Sequence, residues 1–538
     1  KDHFKLFDDD LENQKLVNST TLNQTQTNAL NNTNVNNFNN NVNPKDMNES
    51  SIVRHNEISR QGESQIEDSV MNPDRTFTSY IIYDPKELID KVTYGEEQST
   101  IIILSLILLS IEGAEISLTP YLIIALRTYF EAGTFEIEVT AAIIYVGLGF
   151  GSFLVDFIKQ FFDRKQIVNY SLITINICHI LLVFSKSIIL FTTIRFFIGV
   201  LMGLSAPIVL NVLIEYLPIK YRNFTMNSIY CGFSAGQILL LLCQMVVMPN
   251  FESNQVITIL LCMWFWIFLG TIGFLLFFED SPRNLILAGE HNRGIRIYRA
   301  MFKRNNIYIS SEQKKSMIDY IEKSNNRIVE SNLSSIFNNE FFAISLILAF
   351  QWFIISMVRY GPLLIYTETI KELEMASLRN IIANHIYIAL GMFFINLLFA
   401  WIAEFKIVGL KRILFISYGL ALIFCSLNVG IPDYLNIWMS IASVLLNPVN
   451  SAISTYTHII FPTKIRDTSM GLFLFIKYMG AIVAQFVFLG FFAIEVIVPY
   501  CILLGLTLVS FVMVFILPLE PSQEHLDEDL KSMAMHNK

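Results

Sequence analysis

Arg195-Phe-Phe-Ile-Gly199-Val-Leu-Met-Gly203, running on through Ser205, Ala206 and Pro207 to Glu215-Tyr-Leu-Pro218-Ile-Lys220-Tyr-Arg222, decides how the chain is read. Helical spacing puts Arg195, Gly199 and Gly203 on one face. Glycines four apart let a second helix backbone approach closely in lipid. The polar exit recurs late in the chain, where Pro462-Thr-Lys464-Ile-Arg466 echoes Pro218-Ile-Lys220-Tyr-Arg222. Each pentad follows a long apolar helix, one in each half. A repeated helix exit of this kind predicts an internally duplicated membrane protein.

Composition agrees. Of 538 residues, 53% are hydrophobic and 16% charged, against about 25% charged in soluble domains. The net charge of −8, with Lys and Arg dispersed between apolar runs, argues against nucleic acid, which needs a basic stripe. The cysteines, Cys178, Cys231, Cys243, Cys262, Cys425 and Cys501, all fall in apolar runs without paired spacing. Neither disulfides nor a metal site is expected, and the thiols read as buried and unreactive.

From Thr100 onward the apolar runs are about 20 residues long, enough to cross a bilayer core. Twelve are expected, at roughly 100–126, 139–158, 167–186, 188–213, 225–248, 256–278, 341–366, 381–403, 412–431, 435–460, 469–491 and 495–517. Lys159, Arg164, Lys165, Lys220, Arg222, Lys406, Lys411, Arg412, Lys464 and Arg466 crowd one set of loops. The opposite set holds Arg127, Lys186, Lys371 and Arg379. Positive charge gathers on the cytosolic side, so both termini are expected there. The membrane could be the plasma membrane, an organelle membrane or the mitochondrial inner membrane.

The domain reading is a tail at 1–96, a six-helix bundle at 97–279, a cytosolic linker at 280–340, a second six-helix bundle at 341–518 and a C-terminal tail at 519–538. The Asn-rich stretch from Asn31 to Asn43 cannot bury enough apolar surface to offset its chain entropy. It carries no secretory apolar segment near its start, and its sequons at Asn18, Asn23, Asn31 and Asn48 match chance. Such a tail gains order on a protein partner, with Phe4, Leu6 and Phe7 or Tyr80 to Tyr83 as anchors. In the linker, residues 289–304 read as an interfacial helix, with Ile295, Ile297 and Met301 inward and Arg293, Arg296 and Arg299 outward.

These features resemble the major facilitator superfamily, in particular its synaptic-vesicle-protein-like and organic-ion transporter branch, with sugar-porter-like motifs. The resemblance is carried by Glu112-Gly-Ala-Glu115, Arg195/Gly199/Gly203, Glu215 to Arg222, Glu279-Asp-Ser281-Pro282-Arg283, Tyr360-Gly361, Tyr456-Thr457, Pro462-Thr463 with Arg466, and Leu517-Pro518-Leu-Glu520. It implies an all-α membrane protein in which the first, fourth, seventh and tenth helices line a central cavity. Three positions depart from the pattern. The turn after the second helix is lengthened over Phe157–Phe162, with Asp163 where Gly is expected. Ile459 stands where an acidic residue is expected. Tyr478 occupies a position at which organic-ion relatives place a charge, with Lys477 beside it.

Ionisable residues inside membrane helices are costly and mark cavities or pathways. Glu112 and Glu115, one turn apart, share a face, and one of two close carboxylates is favoured to hold a proton. A structural ion pair is the alternative. Arg195 reads as helix packing or substrate contact, and Arg359 as substrate contact, because Gly361-Pro362 should break the helix beside it. Lys477, with Tyr478, faces inward or snorkels to the cytosolic side. His458 and Gln351-Trp352-Phe353 read as packing. Asp156, Arg164, Glu215, Arg222, Arg283 and Arg466 sit at cytosolic helix ends, where ion pairs between loops can gate a two-state equilibrium.

The chain has no Walker loop, no Ser/His/Asp or Cys/His set outside the membrane runs and no metal cluster. The expected function is therefore not enzymatic and uses no cofactor. It is secondary active transport of a small organic ion or metabolite by alternating access, an organic anion moved with protons ahead of a cation bound by Glu112 and Glu115. The rival is a transporter-fold accessory or structural subunit of a membrane complex.

Overall fold

The computed structural model describes residues 94–247, 255–304, 311–325, 333–338, 341–372, 378–405, 408–431, 434–492, 495, 497–517, 520–521 and 526. The proposed tail anchors and sequons lie outside the described residues. Among those described, twelve helices are long and apolar enough to cross a membrane. The protein is an integral, multi-pass membrane protein.

The first bundle contains α1 (Glu96–Tyr129), α2 (Thr134–Ile158), α3 (Arg164–Val183), α4 (Ile188–Tyr216), a span broken into α5 (Ile219–Ser228) and α6 (Tyr230–Val247), and α7 (Gln255–Phe277). Four shorter helices follow: α8 (Pro282–Leu287), α9 (His291–Arg304), α10 (Ser311–Asn325) and α11 (Leu333–Ile336). The second bundle contains α12 (Phe342–Glu372), α13 (Leu378–Ala403), α14 (Gly409–Gly430), α15 (Leu435–Ile460), α16 (Thr463–Phe492) and α17 (Val498–Ile516). Within the first bundle α1 packs on α6 and α2 on α4; within the second, α12 packs on α16 and α14 on α15. The bundles meet where α2 lies on α16 and α6 on α13.

Several helices overrun their apolar runs by a turn or more, because hydropathy marks the lipid-filled depth and the helix continues into the charged ends. The expected break at Gly361-Pro362 is absent: α12 runs through it unbroken from Phe342 to Glu372. Membrane helices keep such residues when neighbouring groups satisfy the backbone that proline leaves open.

The glycine face is a close approach. A Cβ on Gly199 would lie 2.5 Å from the Ile144 carbonyl oxygen of α2, and one on Gly203 would press into the Leu148 carbonyl. Gly147 and Gly151 offer the same from α2 toward α4.

The two exits have the same shape. Leu217 at the end of α4 has φ −88° and ψ 128°, and Phe461 at the end of α15 has φ −89° and ψ 127°. Arg222 donates to the Leu217 carbonyl at 3.4 Å and Arg466 to that of Phe461 at 3.0 Å, each reaching back five residues. The two arginines thus reach back over their helix exits in the same way.

In α9, Ile295, Tyr298, Met301 and Phe302 are buried while Arg293, Arg296 and Arg299 are exposed. Its apolar side therefore packs on protein, beside α8. At the other end of the chain, Glu520 closes a clasp. Its carboxylate accepts the Leu410 and Lys411 backbone N–H groups at 2.9 and 2.8 Å, where α14 begins at Gly409 with φ +60°. Orphan donors at a helix start favour an anion. Glu520→Ala is expected to cost about 1–2 kcal/mol, read as a lower melting temperature of the purified protein, with Glu520→Gln falling between.

Candidate functional site

Two buried polar constellations and one cavity organise the space between the bundles. The first lies at the charged end, where α3 and α16 begin and α4 ends. Arg164 donates to Asp467 at 2.8 Å and to Glu215 at 3.0 Å, and lies 3.5 Å from Asp280. Arg466 donates to Glu215 at 2.7 Å and to the His458 carbonyl at 2.9 Å. Asn211 donates to Asp467 at 2.7 Å, Ser281 donates to Glu215 and Lys159 pairs with Asp467. Arg164, Lys159 and Arg466 thus meet Glu215, Asp280 and Asp467, three cations against three carboxylates. Charges this deeply buried are tolerated only when paired and hydrogen-bonded. Burial pushes the Asp280 carboxyl above the usual carboxylate range, against the pull of Arg164 beside it.

Asp156 adds a separate strut between the bundles, accepting the Thr468 hydroxyl at 2.6 Å. Arg222 is buried in its own turn, and Arg283 is buried in α8 beside Asp280 and Ser281. The lengthened turn after α2 ends at Asp163, whose backbone N–H donates to the Gln166 side chain at 3.2 Å as α3 starts. Near Ile459, Arg466 takes a carboxylate from across the bundle interface, that of Glu215.

The second constellation lies in mid-membrane and separates two carboxylates that spacing alone places together. Glu112 points to the second bundle, accepting the Tyr478 hydroxyl at 2.9 Å with Lys477 at 3.9 Å. Glu115 stays inside the first bundle, bonded to His179 of α3 and 3.7 Å from Arg195 of α4. The roughly 60° between positions i and i+3 on a helix is enough to send one to each side. Each keeps its own partners, Tyr478 and Lys477 for Glu112, His179 and Arg195 for Glu115.

Arg195 also donates to Thr119 at 2.7 Å, which makes it a cross-brace of α1 and α4. Lys477 is buried and directed at Glu112, not toward a membrane surface. His458 and Trp352 are packing groups: His458 bonds the Ser454 carbonyl at 2.6 Å and Trp352 donates to Thr457 at 3.1 Å. The six cysteines are free, and Cys501 is exposed, not buried.

Beyond Glu112, away from the charged end, α1, α6, α12, α13 and α15 line an open-mouthed cavity with about 60 Å³ of internal space. Ser117, Gln237, Arg359, Tyr360, His385, Ser440 and Ser443 are its polar lining. The Arg359 guanidinium lies 4.4 Å from the Phe233 ring centre. Tyr360 meets Tyr145 edge-on at 5.2 Å across the bundle interface, and Tyr230 donates to Ser454 at 2.7 Å across it.

Sequence reasoning missed Asp467, Asp280 and His179. His179 was open to detection as an ionisable residue inside an apolar run, the rule that singled out Glu112. Asp467 carried no signal beyond its place beside Arg466.

Comparison with known proteins matches these features. The Major Facilitator Superfamily family model matches residues 104–485. The putative transporter SVOPL of Danio rerio is 22% identical over 455 residues, 78% of this chain and 85% of the relative. A cis,cis-muconate transport protein of Acinetobacter baylyi is 29% identical over 131 residues, 24% of this chain and 32% of the relative, so the match spans about a third of that protein. Among solved structures, the proton:xylose symporter XylE bound to 6-bromo-6-deoxy-D-glucose aligns with a TM-score of 0.70 at 13% identity, over 81% of this chain and 99% of that one. The partially occluded inward-open form of the xylose transporter XylE from E. coli aligns at 0.60 and 11% identity, over 78% and 98%. The chain belongs to the Major Facilitator Superfamily, the family of membrane transporters whose twelve-helix, two-bundle fold it shares.

Proposed function

We propose that this protein is a secondary active transporter of a small organic anion, coupled to protons and working by alternating access between its two bundles. The observation that carries the reading is the cross-bundle contact of Glu112 with Lys477 and Tyr478 beside the cavity. A carboxylate from one bundle and an ammonium from the other form a latch that a substrate carboxylate can replace. Breaking a buried ion pair without replacement costs about 3–5 kcal/mol. Protonating Glu112 frees Lys477, and an anionic substrate then fills the place of the lost charge, which ties substrate to proton. The muconate transporter supports an organic anion, and the xylose symporter supports proton coupling.

In this reading the charged end is cytosolic, as the distribution of Lys and Arg suggests. The Arg164–Glu215–Arg466–Asp467 network is the closed gate of an outward-facing state. Membrane lipid surrounds the bundles, and both termini lie on the cytosolic side. The accessory-subunit reading draws on the lengthened turn and the acid missing at Ile459. With Glu215 serving both arginines, neither departure argues for a disabled gate.

The test is uptake into proteoliposomes of labelled organic anions, cations and sugars, with and without a pH gradient. Anion uptake driven by an acidic outside is expected. Lys477→Gln is expected to lower it by at least about tenfold, the worth of one charge-assisted bond. Uptake unchanged in a Glu112→Gln, Glu115→Gln double variant would remove the coupling site.

A further inference from the structure

Away from the charged end, Arg359 and Lys477 are two cations that the second bundle turns toward the first among the described residues. Only Lys477 is answered by a carboxylate, Glu112 at 3.9 Å. Among the described residues none reaches Arg359, whose partner is the face of Phe233 at 4.4 Å. A ring quadrupole attracts a cation but does not neutralise it, and an unmatched charge in a membrane cavity marks a ligand. Two more polar atoms on the same wall are buried without a hydrogen-bond partner, the Tyr360 hydroxyl and Gln237 Oε1. The hydroxyl can donate, and the Gln237 amide, turned over, can donate as well. A planar guanidinium with two such donors fits one carboxylate. Much of the remaining wall is apolar, with Ile116, Leu241 and Met439 among it.

We infer that the cavity selects a monovalent anion with an apolar body, its single carboxylate seated on Arg359. The inference rests on the anion-transport reading and sharpens it to a charge count for the state in which substrate first binds, before Glu112 takes a proton and releases Lys477. With Glu112 ionised, the cavity has one unmatched positive charge. A dianion would leave a carboxylate against apolar wall unless Glu112 gave up Lys477. A neutral isostere would leave Arg359 as it stands, and an organic cation would face it.

Four probes on one benzene ring test this: benzoate, benzamide, terephthalate and benzyltrimethylammonium. Binding is read by thermal stabilisation of the full-length protein in lipid nanodiscs at pH 8, where an imidazole adds no charge. Benzoate is expected to bind at least about tenfold more tightly than the other three, the worth of one charge-assisted bond. Arg359→Gln is expected to remove that preference. Arg359→Lys should keep the order benzoate over benzamide at lower affinity, since an ammonium holds the charge without the fork. Should Arg359→Gln not fold, the ranking on the unaltered protein still decides. Terephthalate bound more tightly than benzoate, or a preference unmoved in folded Arg359→Gln, overturns the inference and leaves anion transport standing. A preference for benzyltrimethylammonium, benzamide equal to benzoate, or no probe bound at all overturns both.

Discussion

Glu215→Ala is expected to unlock the charged end of the molecule and to cost about 3–5 kcal/mol, the usual penalty for leaving buried charge unpaired. Glu215 accepts from Arg164 at 3.0 Å, from Arg466 at 2.7 Å and from Ser281, and its carboxylate is fully buried. Removing it leaves the cluster with three cations and two carboxylates. Arg164 retains Asp467 and Asp280, while Arg466 loses the Glu215 carboxylate and keeps the His458, Phe461 and Thr463 oxygens among its acceptors. Water must then enter or the bundles must part. The melting temperature should fall, and hydrogen exchange over residues 156–166 and 460–468 should rise together. Glu215→Gln keeps acceptor capacity and should do less. An unchanged melt with unchanged exchange in both segments would show that the network does not hold the bundles together.

The second large effect is expected at Gly203. Its Cα faces the Leu148 carbonyl so closely that even one added carbon would overlap backbone. Backbone cannot move aside as a flexible side chain can, so α2 and α4 must separate along their length. Gly203→Ala is expected to cost about 1–3 kcal/mol, the range for overpacking, and Gly203→Leu to prevent recovery of a monodisperse protein. Gly505 on α17 is the control. Nothing lies within 4 Å of a Cβ placed there, and Gly505→Ala should be neutral or slightly stabilising, as alanine favours helix. Equal yields and melts for Gly203→Leu and Gly505→Ala would contradict the packing account. The size-exclusion profile and thermal melt decide.

What could be read from the sequence was whatever repeats over a short span. The twelve apolar runs, the small residues at Gly199 and Gly203 and the matched pentads at Pro218 and Pro462 are local patterns, and local geometry follows from them. Partners far apart in the chain were not legible. Arg164 and Asp467 are 303 residues apart, and no periodicity links them. For the same reason Ile459 reads as a lost acid in isolation, while the fold draws Glu215 from the other half. Glu112 and Glu115 show the limit from the other side. Their spacing on α1 was read correctly, but where each side chain ends depends on α3, α4 and α16, which spacing does not specify. The uninterrupted α12 is a related case, since a proline removes one backbone donor but the neighbours decide whether the helix stops.

Ownership of the charges at the closed end also orders the making of the molecule. The half synthesised first already holds Arg164, Glu215 and Asp280, so it can satisfy most of its own buried charge before the rest exists. The later half arrives with Arg466 and Asp467 side by side, and both find their main ionic partners on the earlier one. The first bundle is thus a finished template and the second a dependent guest.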